Sequence, residues 1–243
     1  MAPPPGALDL SEARAIFDCG RFWTEYQAIV NVRSGRTAAF EALGRFSGSD
    51  GSPVAPAELF SLLHADPALL LRAELTLKFH QIEHAPSAPV FLNLDPDSWW
   101  RAGDGDRNPF IGLLAQARTR VVVEVTESVV ASNAVRVADM VTAMRAQGLT
   151  VALDDLGASD GLLSFDAIAQ AEVLKFDRAM VPRLREPRCR ALVQALIRMS
   201  HETGAYTVLE GVEKAADFVA ARETGFDLVQ RFLFKDRAQV AMR

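Results

Sequence analysis

Six short apolar stretches along the chain each finish on a residue able to hold a metal ion or a phosphate. They are FEAL with Glu41, FLNL with Asn93, VVVEVTE with Glu124 and Glu127, VALDD with Asp154 and Asp155, VLKFD with Lys175 and Asp177, and TVLEG with Glu210. Apolar runs of this length predict buried strands. A charge where such a run emerges is costly unless it is paired or coordinated. Six of them along one chain predict strands lying side by side, their tips forming one acidic pocket.

Around these runs the pattern predicts a short helix over 11–18 with Ser11 as its N-cap. Strands over 24–32 and 37–44 follow, joined by Arg33-Ser34-Gly35-Arg36. A connection that short makes an antiparallel hairpin. Ser47 to Pro56 reads as a loop, and a helical region runs from Pro56 to His84 with an interruption before Pro67. Beyond it, strands near 89–94, 120–125, 150–155, 173–177, 206–210 and 228–234 alternate with helices, the clearest at 132–147 and 187–203, which end near Gly148 and Gly204. Such alternation predicts right-handed crossovers and a parallel sheet. The hairpin and the later units together supply eight strands, the number that closes an α/β barrel of the (β/α)8 TIM-like type. The hairpin sets the first strand antiparallel to the other seven. An open doubly wound sheet is the alternative, but its Gly-rich phosphate fingerprint is absent. In a barrel, reactive groups gather at the carboxyl ends of the strands, where these residues fall.

Composition narrows the partners. At 243 residues, with 49% apolar and 23% charged, the chain suits one large domain with ample core. The expected division is a tail and short helix over 1–22 and a barrel domain over 23–243. A net charge of −5 argues against a sequence-independent grip on a nucleic acid polymer, while leaving room for a small phosphate ligand held through metal ions. Cys19 and Cys189 are too far apart for a CxxC site and suggest reduced, cytoplasmic thiols. No leader pattern and no apolar run of about 18 residues occurs, so neither secretion nor direct membrane insertion is expected. Residues 2–7, APPPGA, read as a frayed linker remnant, which makes the chain a module expected to work with fused or partner regulatory domains.

Glu41, Asn93, Glu124, Asp154 and Asp155 are hard oxygen donors, suited to Mg²⁺, Mn²⁺ or Ca²⁺ rather than to a thiolate-loving metal. His64, His80, His84 and His201 all fall away from strand tips, which argues against a His-rich zinc site. Converging carboxylates repel, and divalent ions resolve that repulsion. Asp154 and Asp155 can share one site only where the backbone turns at a strand's end, and Gly157 permits such a turn. Two ions roughly 3.5–4 Å apart could then be bridged by a carboxylate and a water that attacks phosphorus in line. Lys175 is a charge stabiliser, a Schiff-base amine as in class I aldolases, or a plain partner for Asp177; surrounding acids would hold it charged and weaken it as a nucleophile. Glu127 either braces a neighbouring loop or caps the next helix. Arg45 is a bidentate phosphate clamp or a surface arginine. Gln230, polar inside DLVQRFLF, is a base contact or a satisfied core amide.

Together these residues resemble the EAL family of cyclic di-GMP phosphodiesterases. Glu41-Ala42-Leu43 is the name motif, with Arg45 completing EALxR; YQAIV resembles FQPIV, EVTES matches ELTES, LDDLG matches LDDFG, LKFDRAMV resembles LKIDRxFV, EGVE is intact, and LVQRFLF resembles LVQGYLF. The resemblance spans roughly residues 24–234 in the family's order. It implies metal ligation by Glu41, Asn93, Glu124 and Asp154, with Asp155 joining the second of two ions. Lys175 and Glu210 would lie beside the nucleophilic water, Glu127 would hold the loop after the fifth strand, and Gln230 would sit near the ligand. The implied reaction is hydrolysis of cyclic di-GMP to linear pGpG, supported by Mg²⁺ or Mn²⁺ and inhibited by Ca²⁺, in a protein that dimerises near that loop. The chain departs from the pattern at 154–163, DDLGASDGLL, with Leu156, Ser159 and Asp160 replacing the usual residues, and at Arg231. Since every position expected to touch metal or water is filled, a hydrolase is favoured over a catalytically silent receptor or protein-interaction module.

Overall fold

The computed structural model describes residues 8–103, 107–117, 119–126, 131–158, 164–230 and 236–242. Strands β1 (Phe22–Asn31) and β2 (Thr37–Ser47) form the antiparallel hairpin, with Gln27 opposite Glu41. Its turn is built by Asn31, whose side-chain oxygen accepts the backbone N–H groups of Arg33 and Ser34, and by Gly35 at φ 65°. Helix α1 (Leu10–Asp18) precedes the hairpin. Asp9, not Ser11, is its cap: the Asp9 carboxylate accepts the Glu12 N–H at 2.8 Å. That leaves the Glu12 side chain to bind Arg21 and the Ser49 N–H.

After β3 (Pro53–Val54) come α2 (Pro56–Leu63) and α3 (Pro67–Glu83), interrupted as the sequence predicts. Asp66 restarts the helix by accepting the Leu69 N–H, with Pro67 in the first turn. Then β4 (Val90–Asn93), α4 (Pro96–Arg101), α5 (Pro109–Ala115), β5 (Val121–Thr126), α6 (Ala131–Ala146), β6 (Thr150–Leu156), α7 (Phe165–Gln170), β7 (Val173–Phe176), α8 (Met180–Arg183), α9 (Pro187–Thr203), β8 (Tyr206–Leu209), α10 (Ala215–Thr224), β9 (Leu228–Gln230) and β10 (Gln239–Ala241) follow.

Strands β2, β4, β5, β6, β7, β8 and β9 pair in that order, each parallel to the next, and β1 closes the ring antiparallel to both β2 and β9. This is an eight-stranded barrel with its first strand reversed, flanked by β3 on β2 and β10 on β1. Most strands are buried on both faces, which is why they read as near-continuous apolar runs. Among the described residues no helix is long and apolar enough to cross a membrane.

Inside the barrel, one apolar layer consists of Ile29, Ala39, Phe91, Val122, Ala152, Val173, Val208 and Leu228, one from each strand. Side chains two residues apart on a strand share a face. The next layer toward the carboxyl ends is therefore set residue by residue. It lies two positions later on the seven parallel strands and two earlier on β1.

Candidate active site

That next layer reads Gln27, Glu41, Asn93, Glu124, Asp154, Lys175, Glu210 and Gln230. Four carboxyls, three amides and one ammonium thus stand directly above a wholly apolar floor. Six of the eight, with Leu43, Asp155, Asp177, Arg178 and Gly211, line a pocket of about 410 Å³; Glu124 and Lys175 lie buried beneath it.

Lys175 is 0% exposed. Its Nζ lies 3.1 Å from Asp154, 2.8 Å from Glu210 and 3.6 Å from Glu41, and it is also paired with Glu124. Burial alone would lower its pKa, but Asp154, Glu124, Glu41 and Glu210 hold it well above the ordinary lysine value. A side chain so firmly cationic has no amine lone pair for a Schiff base, and its partners are the acids of the layer rather than Asp177.

The carboxyls differ. Glu41 is buried, which on its own raises a carboxyl, yet Lys175 and hydrogen bonds from Gln230 and Asn93 hold it below its usual value. Asn93 Nδ2 donates to Glu41 Oε1 at 2.9 Å, and Gln230 Nε2 donates both to Glu41 Oε2 and, at 2.9 Å, to Gln27 Oε1. Burial and then the Glu41 charge push Glu124 well up, and burial raises Asp154. Burial and the neighbouring Asp154 raise Asp155 to about 6; burial raises Glu210 to about 7. The acids are mutually uncomfortable, with Lys175 as the one cation of their layer.

Asp154 and Asp155 share the pocket by a local distortion. The β6–β7 register slips between Leu153 and Leu156, and Asp155 adopts φ 60°. The sequence points to Gly157 as the turning residue; Gly157 does have φ 85°, but the left-handed step that aims two successive acids at one site is Asp155 itself. Such a conformation in a non-glycine residue is strained and concentrates at functional sites.

The donor set fits divalent metal ions. Carboxylate oxygens of Asp154, Asp155 and Glu210 lie within 4.8 Å of one another. Glu124 Oε2 is buried without a hydrogen-bond partner. Hard oxygen donors with excess negative charge suit Mg²⁺ or Mn²⁺.

Arg45 stands apart from the acid pocket. Its Nε pairs with Glu25 at 2.9 Å, and it lines a neighbouring cleft of about 530 Å³ that shares Leu43 and Asn93 with the pocket. Glu127, Ser159, Asp160 and Arg231 lie outside the described residues. Asp177, a strand-tip acid in the sequence, lines the pocket; sequence reasoning passed over Gln27, Arg178 and Gly211 as pocket residues, and of these only Gln27 carried a signal, two positions before an interior isoleucine on the reversed strand.

Comparisons with known proteins agree with this architecture. An uncharacterized protein of Azorhizobium caulinodans is 30% identical over 228 residues, covering 86% of this chain and 30% of that protein. The cyclic di-GMP phosphodiesterase NbdA of Pseudomonas aeruginosa is 25% identical over 218 residues, covering 86% and 28%. The chain thus spans less than a third of the length of these relatives. Among solved structures, the PaMucR phosphodiesterase in complex with c-di-GMP superposes with a TM-score of 0.74 at 21% identity, over 93% of this chain and 95% of that one, a likeness of fold. Klebsiella pneumoniae BlrP1, in a manganese and cyclic di-GMP complex, superposes with a TM-score of 0.72 at 25% identity, over 99% and 58%. The EAL domain matches residues 9–236, and the chain belongs to the EAL domain family.

Proposed function

We propose that the chain is a metal-dependent phosphodiesterase that hydrolyses cyclic di-GMP to linear pGpG. The observation that carries this reading is the complete polar layer at the barrel mouth: each strand supplies a donor, and no carboxyl of the layer is replaced by an apolar residue. Relatives named as cyclic di-GMP phosphodiesterases, and the similar BlrP1 structure in a manganese and cyclic di-GMP complex, support the substrate and the metal.

Glu41, Asn93, Glu124, Asp154 and Asp155 would hold two Mg²⁺ or Mn²⁺ ions. When bound, such ions lower the pKa of a coordinated water toward neutrality and screen charge on the phosphoryl oxygens. The side chains do the rest. Asn93 and Gln230 fix the Glu41 carboxylate from both oxygens and keep it ionised. Lys175 Nζ stays an ammonium, orients four carboxyls and presents positive charge toward the reacting group. Glu210 Oε1 accepts from Lys175 and faces the pocket from the loop after β8. The cleft beside the pocket, with Arg45 in its wall, would take the rest of the dinucleotide.

The alternative, a silent receptor or interaction module, draws on the departures after Asp155. Leu156 is one of them; it is buried and pairs in register with Phe176, so it fills core rather than the pocket. Incubation with cyclic di-GMP and Mn²⁺, followed by chromatography for pGpG, decides between the readings. Turnover that vanishes in Glu41→Ala and Asp154→Ala supports hydrolysis. Tight binding without turnover selects the receptor. Calcium in place of Mn²⁺ is expected to inhibit, because its looser coordination spoils the placement of two ions.

A further inference from the structure

The strand that carries Glu41 loses its neighbour at the point where the site begins. Strand β2 pairs with β4 only at Phe40 and Glu41. Beyond them the two strands part, and the cleft opens between Ala42–Phe46 on one side and Asn93–Pro96 on the other. Backbone groups of residues two apart on a strand face the same edge. Phe40 donates its N–H across that edge to Pro89 O at 2.9 Å, so the Ala42 carbonyl faces the edge where β4 no longer runs. A buried carbonyl without a partner is costly.

Helix α3 supplies the partner. Gln81 Nε2 donates to Ala42 O at 2.8 Å, and the Gln81 backbone carbonyl accepts the Tyr26 hydroxyl at 2.7 Å. Tyr26 stands opposite Ala42 in the hairpin register. One bracket therefore runs from β1 through α3 back to β2, and all three residues are buried. Tyr26 and Ala42 share the outer face of the sheet, and the small side chain at 42 leaves room there for the Gln81 amide.

We infer that Gln81, held by Tyr26, is a positioning residue for Glu41: it replaces the missing ladder bond at the fork and fixes the backbone from which Glu41 and Leu43 enter the site. The inference rests on the phosphodiesterase reading for its effect on rate. Its effect on ion binding is independent of that reading.

The test compares wild type with Gln81→Met, which keeps length but cannot donate, and with Tyr26→Phe, a milder loss at the far end of the bracket. Mn²⁺ affinity is measured by calorimetry without nucleotide, amide exchange over 41–43 in the ion-free protein, and kcat and KM with cyclic di-GMP. Gln81→Met is expected to weaken Mn²⁺ binding about tenfold and lower kcat by a similar factor, the effect of one lost hydrogen bond. Exchange over 41–43 should quicken, with KM within about twofold. Tyr26→Phe should move the same quantities less, and carries the test if Gln81→Met does not fold. A lower melting temperature with unchanged Mn²⁺ affinity in both variants would overturn the inference, as would a change confined to KM. A wild-type protein that binds Mn²⁺ but turns nothing over sinks the phosphodiesterase reading alone.

Discussion

Glu74 and Lys78 make a buried ion pair on α3, Nζ to Oε2 at 2.8 Å, with both side chains 4% exposed. Their attraction at an effective dielectric of 20 is about 6 kcal/mol, and taking two ions out of water costs several kcal/mol each. The pair is thus near balance against an apolar replacement, but each partner is indispensable to the other. Lys78→Met should cost about 3–5 kcal/mol by leaving the Glu74 carboxyl buried alone. In a chain of this size that is a fall in Tm on the order of 10 °C. The double variant Glu74→Leu/Lys78→Met should recover to within about 1 kcal/mol of wild type. A pH signature separates this cause from simple packing loss. Burial already outweighs Lys78 and raises Glu74 above its ordinary value; removing the cation raises it further. A carboxyl whose folded pKa exceeds its unfolded one favours folding at low pH and loses that contribution as pH rises through the folded value. The deficit of Lys78→Met should therefore shrink from pH 8 to pH 5. Calorimetric unfolding of the three variants at both pH values is the assay. A double variant no more stable than Lys78→Met, or a deficit that is flat with pH, refutes the reasoning.

Ion binding at the site should be linked to protons. With Asp155 raised to about 6 and Glu210 to about 7, Mn²⁺ must displace protons at pH 6 but few at pH 8. Affinity by calorimetry should be lower at pH 6 than at pH 8, with a heat that depends on the buffer's ionisation enthalpy; a pH-independent affinity contradicts the assignment. By the same linkage these two raised carboxyls favour the ion-free fold at pH 6 over pH 8, and saturating Mn²⁺ should reverse that trend in Tm. Asp155→Asn should leave Tm nearly unchanged, since Asn tolerates the left-handed conformation, while weakening Mn²⁺ binding; Asp155→Val should cost about 1–2 kcal/mol of stability as well. Gly211→Ala should be severe: φ is 73°, and a Cβ there would lie 2.3 Å from Arg178 Cβ and 2.9 Å from its Cα. A loss of about 3 kcal/mol by thermal unfolding, with weakened Mn²⁺ binding because Glu210 shifts, is expected; a wild-type Tm would contradict the close approach.

Much of the fold was legible because its signals are local. The four-residue connection at 33–36 forced the hairpin and so the reversed strand. Pro67 marked the break between α2 and α3. The site residues on parallel strands announced themselves as polar endings to apolar runs. Gln27 did not, because on a reversed strand the mouth lies toward the N-terminus, and its polarity opens the run instead of closing it. Arg45 stood in the right motif, yet its pairing with Glu25 depends on hairpin register, which aligns Glu25 with Leu43 beside it. The cap of α1 was read at Ser11, but Asp9, whose side chain can accept the same kind of bond, takes that role two residues earlier. The Asp155 distortion was hidden for another reason: Gly157 offered a cheaper place to turn, and only the slipped β6–β7 pairing moves the turn onto the acid.

The period of two that organises the strands also explains why the site carries uncompensated negative charge that divalent ions would suit. Below the polar layer lies an apolar one, and outside the strands lies a packed core, so the carboxyls can find compensating charge only from Lys175 or from the mouth. Lys175, wholly buried among Glu41, Glu124, Asp154 and Glu210, supplies one positive charge to four acids. That one charge, with the hydrogen bonds from Gln230 and Asn93, holds Glu41 below its usual value but leaves Glu124, Asp154, Asp155 and Glu210 raised. Without ions, the acids are balanced only by the lysine and by a raised tendency to keep their protons. On the proposed reading, divalent cations bound from the solvent side would replace those protons. Closing the sheet thus sets the spacing of the acids and withholds the charge they lack, and on the proposed reading a divalent ion would complete electrostatics that the fold leaves unfinished.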